Sequence, residues 1–139
     1  MILVDTNVFV DVIHHDPIWF EWSLRQLSQA KSQHGLVTNF VVYAELHTHN
    51  TAGPHIDGLL KQLEVEVLDL SRAAARLAGE AFRQYRERGG TKTGVLPDFF
   101  IGAHAQAART ASSLRSFHVI HQLVQLGRAE LAALLDSPI

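Results

Sequence analysis

Apolar residues recur along the chain in two ways, as short unbroken runs and as longer stretches with helical spacing. Ile2 to Val4 is such a run, ended by Asp5, as expected of a buried parallel strand that delivers a side chain at its carboxyl end. Asp16-Pro17 is an N-cap and first-turn pair, and Ile18 to Lys31 places Phe20, Leu24 and Leu27 on one side of a packed helix. His34-Gly35 breaks that pattern. Leu36 to Thr38 reads as a second short strand, and Phe40 to His47 as a helix carrying Glu45; Thr48 to Gly58 reads as a loop, with Gly53-Pro54 as its breaker. Val65, Val67, Leu68 and Leu70 suggest a third strand. Ser71 then caps a helix whose apolar face is Ala74, Leu77, Ala78, Ala81 and Tyr85, and Gly89-Gly90 ends it. Pro97 opens another helix through about Ala108, with Asp98 near its start, and His118 to Leu135 reads as a single closing helix.

Strands alternating with helices predict an α/β fold with a mainly parallel sheet and helices on both faces. No repeat, linker or low-complexity tract interrupts the 139 residues, so 1–139 is expected to be one domain.

Three acids stand where the core pattern does not explain them. Asp5 ends an apolar strand, Glu45 interrupts Phe40-Val41-Val42-Tyr43-Ala44-Glu45-Leu46, and Asp98 lies between Leu96-Pro97 and Phe99-Phe100-Ile101. Ligands of open parallel sheets bind outside the carboxyl ends of the strands, which is where Asp5 belongs. Converging carboxylates repel and need protons or cations, and hard oxygen donors select magnesium or manganese, ions suited to activating water at a phosphoryl group. Each acid taken singly is explained as well by a strand end or a helix cap; Asp98 in a first turn complements the helix dipole. Only the set of three argues for chemistry.

Composition adjusts this picture in two places. With no cysteine, a disulfide framework and a thiolate zinc site are excluded, in keeping with a reducing compartment; the opening apolar run is too short for a signal-peptide core, and no run approaches a membrane span. A cytoplasmic protein is the expectation. A net charge of −2 gives no global case for nucleic-acid binding, yet the segment from Arg72 to Lys92 concentrates Arg72, Arg76, Arg83, Arg86 and Arg88 against only Glu80 and Glu87. A phosphate-binding stripe and a solvated helix face both fit that segment.

Val4-Asp5-Thr6-Asn7-Val8-Phe9, Val41-Val42-Tyr43-Ala44-Glu45-Leu46 and Leu96-Pro97-Asp98-Phe99-Phe100-Ile101-Gly102-Ala103-His104-Ala105 together resemble the successive acidic motifs of PIN-domain ribonucleases, in particular the VapC-type toxins of bacterial toxin–antitoxin modules. The resemblance runs to about Ala108. It implies a three-layer α/β/α sandwich, magnesium- or manganese-dependent cleavage of RNA, a homodimer, and a small cognate antitoxin as inhibitor. By position Asp5, Glu45 and Asp98 inherit the metal-ligand and catalytic roles. Thr6 and Asn7 would orient Asp5 or a metal-bound water, or else cap the following helix.

The resemblance calls for a fourth acid in a Leu-Leu-Thr-Arg-Asp-like motif, and here Ser112-Ser113-Leu114-Arg115-Ser116 stands in that place. Ser116 would supply a neutral oxygen where a second cation needs charge, so reduced or lost activity is expected. Divergence and a shifted reading frame near residue 108 both account for the break. Two other functions compete with the ribonuclease. An aspartyl phosphatase also begins with a strand ending in aspartate, but it requires Asp-x-Asp where this chain has Asp5-Thr6-Asn7. A PIN-like module without its fourth acid would bind antitoxin or RNA without cutting. The nine histidines, including His14-His15, His47 with His49, and His118 with His121, lack a third ligand at a recognisable spacing and read as solvated or capping groups. Trp19, Phe20 and Trp22 exceed what one face of a small domain buries and point to a subunit or antitoxin interface.

Overall fold

Asp5 stops the first strand by turning it into a helix. In the computed structural model, which describes residues 1–49, 53–94, 97–110 and 118–120, strand β1 (Ile2–Val4) is buried throughout and passes through Asp5 directly into α1 (Thr6–Ile13). The Asp5 backbone is extended (φ −80°, ψ 159°), and its Oδ1 accepts the Thr6 amide at 2.6 Å, satisfying one of the donors that a helix start leaves orphaned. After α1, Asp16 Oδ1 accepts the amides of Ile18 and Trp19, each at 2.8 Å, and a turn leads into α2 (Phe20–Gln33). Ile18 therefore precedes the helix that the pattern placed it in, and its side chain is exposed.

Gly35, at φ 75°, occupies the left-handed region that glycine tolerates, and its carbonyl accepts the Ile2 amide at 3.0 Å. Strand β2 (Leu36–Asn39) follows, buried along its length, and runs without a loop into α3 (Phe40–His49). Next comes α4 (Gly53–Leu63), where a loop was expected. Gly53-Pro54 opens this helix instead of breaking the chain, because a proline in the first turn gives up only an amide that had no intrahelical partner. Residues 50–52 lie outside the described residues. Strand β3 (Val65–Leu68) is half-buried and carries the exposed Glu66, a charge suited to a sheet edge.

Among the described residues the sheet has four parallel strands in the order β3-β2-β1-β4. Its last member, β4 (His118–Ile120), pairs with β1 in the register Ile2↔His118, Leu3↔Val119 and Val4↔Ile120. This corrects the single helix expected from His118 to Leu135: its first three residues are strand, because β1 has a second hydrogen-bonding edge that only a distant segment can fill. The remainder of that stretch, and Ser116, lie outside the described residues.

The described residues belong to two compact units. The first comprises Met1–Asp69 together with β4, and in it α1 packs on α2 and α3 over a core that includes Leu3, Val8, Phe9, Leu27, Val42 and Leu46, all fully buried. The second contains α5 (Arg72–Glu87) and α6 (Pro97–Thr110), packed on each other through Ala78, Ala81, Phe99 and Ala103. Ser71 caps α5 as its sequence predicts, its Oγ accepting the Ala74 amide at 3.1 Å. At the other end Gly89 takes φ 93°, and the Tyr85 ring lies so close to Gly90 that a Cβ there would clash with it.

Candidate active site

In the first unit, two of the candidate carboxylates are bound by one residue, Thr6. Thr6 Oγ1 donates to Glu45 Oε2 at 2.5 Å, while the Thr6 amide donates to Asp5 Oδ1. The link spans 39 residues of sequence and is possible because α1 packs on α3. Asp5 and Thr6 are buried and Glu45 is half-buried, so the Thr6–Glu45 bond is partly shielded from water and is of the stronger, charge-assisted kind. Asn7, the other residue expected to assist Asp5, has its side chain exposed.

The end of β2 supports this arrangement. Thr38 Oγ1 donates to the Val4 carbonyl at 3.2 Å, fixing the peptide that precedes Asp5. Fully buried Asn39 caps α3, its Oδ1 accepting the amides of Val41 at 3.0 Å and Val42 at 3.1 Å. The register pairs Leu3 with Val37, so Asp5 and Asn39 end neighbouring strands at the same level. Neither Thr38 nor Asn39 was singled out from sequence. The signal for Asn39 was present all the same, an N-cap residue directly before an apolar run.

Sheet order gives the location its meaning. From β1 the chain proceeds outwards through β2 to β3, whereas β4 lies on the other side of β1. The direction of winding reverses at β1, and the crevice beyond the carboxyl ends of the strands at such a reversal is where open α/β sheets bind ligands. Asp5 occupies that strand end.

Asp98 lies in the first turn of α6, in the second unit, and is half-buried. In that helix His104 is buried, and burial lowers its basicity below the usual histidine range. Of the other histidines, His15 stacks on Phe20 with ring centroids 4.7 Å apart, and His47 Nδ1 pairs with the Tyr43 carbonyl oxygen at 2.8 Å. Among the described residues no group of three or more histidine, aspartate or glutamate side chains is gathered closely enough to hold a metal ion. Asp5, Thr6 and Glu45 nevertheless offer hard oxygens, and magnesium characteristically takes only one or two carboxylates, completing its shell with water and substrate phosphate. The donor chemistry of this group fits such an ion.

A family model for the PIN domain matches residues 2–112. The chain belongs to the PIN-domain family. No curated protein and no solved structure matches it. PIN domains have a nuclease-type fold and generally use divalent metal ions on nucleic acid, and the α/β architecture with its short parallel sheet is that of the family. The match covers Asp5, Glu45 and Asp98 and ends before Ser116. No helix among the described residues of this PIN domain is long and apolar enough to cross a membrane.

Proposed function

We propose that this PIN domain is a magnesium- or manganese-dependent endoribonuclease, acting as one domain over residues 1–139, and the toxin component of a bacterial type II toxin–antitoxin pair. The observation that carries the nuclease reading is the Asp5–Thr6–Glu45 connection at the strand end where the winding of the sheet reverses. The toxin assignment rests on the VapC-like motifs alone. With it come a cytoplasmic location, a homodimer and a cognate antitoxin; the half-buried Trp19, Phe20 and Trp22 are offered for such an interface.

In this reading Asp5 and Glu45 hold the cation, and Thr6 holds Glu45 in place. Asp98 is assigned to the same reaction by its motif, and Asn7 to orienting water or substrate. When bound, the divalent ion supplies activation of water and neutralisation of charge on the phosphoryl group. No side-chain nucleophile is needed. Ser116 favours a second reading, a PIN domain that binds RNA or antitoxin but cuts weakly or not at all, because loss of one electrostatic contact to a leaving oxygen costs about a hundredfold in rate.

Incubation of RNA with the protein and magnesium or manganese, beside a chelated control, tests both readings. The first requires cleavage that the chelator abolishes and that Asp5→Asn, Glu45→Gln and Asp98→Asn each reduce at least about a hundredfold. Metal-independent cleavage, or cleavage indifferent to these substitutions, refutes it. Binding without cleavage, with activity gained in Ser116→Asp, selects the second.

A further inference from the structure

Helix α5 buries three alanines and turns its arginines outward. Ala74, Ala78 and Ala81 are buried, whereas Arg72, Arg76, Arg83 and Arg86 are all exposed. At about 100° per residue these four fall within roughly 80° of arc, forming one line about 21 Å long. Glu80 and Glu87 flank the line on one side, paired with Arg76 at 3.1 Å and Arg83 at 2.5 Å. Such exposed i,i+4 pairs are worth well under about 1 kcal/mol, so an incoming anion displaces them easily. Arg86 Nη1 donates to the carbonyls of Gly90 at 3.0 Å and Lys92 at 2.9 Å, anchoring its end of the line.

The middle of the line is Gly79, also exposed. A Cβ there would have nothing within 4 Å, so packing does not require glycine, although glycine costs a helix interior about 1 kcal/mol relative to alanine. Its effect is to leave the backbone between Arg76 and Arg83 bare. A basic line without intervening side chains suits an extended polyanion. Guanidinium forks also match phosphate oxygens in pairs, as lysine ammonium groups do not.

We propose that this face of α5 is a track for the phosphate backbone of single-stranded RNA. The inference rests on the ribonuclease reading for its choice of polyanion, and it concerns binding independently of cleavage. The test is the affinity of the full chain for labelled single-stranded oligoadenylate in excess chelator across a salt series. Removing two phosphate contacts should flatten the slope of log affinity against log salt by about 1.4. That flattening is expected of R76Q/R83Q and not of the charge-matched control R25Q/K61Q. Conversely, E80Q/E87Q should tighten binding and steepen the slope, where E21Q/E66Q does not. All these residues are exposed except the half-buried Glu80, and unchanged unfolding midpoints verify the fold.

Equal effects in stripe and control variants, or no binding of RNA by the unmodified chain, overturn the proposal. So does stripe-dependent binding of a polyglutamate peptide in place of RNA, which would make the face a docking site for an acidic protein. Stripe-dependent RNA binding with no cleavage under any metal leaves the track standing and defeats the ribonuclease reading alone.

Discussion

Thr6 Oγ1 lies 2.5 Å from Glu45 Oε2, so the residue after the strand-end aspartate holds the acid in the middle of α3. Thr6 is bound to both acids, by its amide to Asp5 and by its hydroxyl to Glu45. Thr6→Val keeps the shape and removes only the hydroxyl. It should lower stability by about 1.5–3 kcal/mol, the range for a hydrogen bond to a charged group, and under the proposed function should weaken manganese binding by freeing Glu45. Thr6→Ser should retain both properties. Denaturant unfolding and manganese titration on the three proteins check this, and a Val variant with unaltered metal affinity would remove the positioning role.

Asn39 connects the end of β2 to the start of α3 and is fully buried. Asn39→Ala leaves two helix-start amides without their acceptor and should cost about 1–2 kcal/mol. Asn39→Ser, which can still cap, should recover part of that loss. The comparison is of denaturant midpoints at constant m-value; equal midpoints for Ala and Ser would assign the loss to packing.

Asp11 is buried on α1, where burial raises its pKa above the usual 3.8, Ser23 donating to Oδ2 pulls it down, and the nearby Asp16 charge raises it further. The net shift is upward, so the folded chain holds this proton more tightly than the unfolded one. The resulting stabilisation is present below 3.8 and disappears as pH rises through the folded value, the reverse of a salt-bridged carboxylate. Asp11→Asn should therefore stabilise the protein more at neutral pH than in strong acid. Unfolding free energies of both proteins across that range give the answer, and a constant difference would contradict it.

His104 has the opposite linkage. Burial lowers its pKa below 6.5, so the unfolded chain binds the proton more readily and stability falls as pH drops below that value. Replacement by Gln, which cannot charge, should flatten stability against pH between neutrality and mild acid. If wild type and variant show parallel pH profiles, the histidine titrates as in the unfolded chain and the buried environment has no such effect.

Local rules made much of this legible in the sequence. An apolar triplet ended by Asp5 is a strand delivering a carboxylate because nothing but burial rewards Ile2-Leu3-Val4, and Ser71 is a cap because its hydroxyl reaches an amide three residues on. The acids themselves stood out as polar interruptions of apolar segments, and the match over residues 2–112 covers all three. What the sequence could not supply were relations with no local term. His118–Ile120 carries a pattern that serves a helix or a strand equally, and the open edge of β1, more than a hundred residues earlier, makes it a strand. Gly53-Pro54 begins a helix, although the same pair is a common loop breaker. Thr6 next to Asp5 read equally as helix cap or site residue; only the packing of α1 on α3 brought its hydroxyl to Glu45, because a hydrogen bond needs two groups within about 3 Å and chain order does not encode that distance.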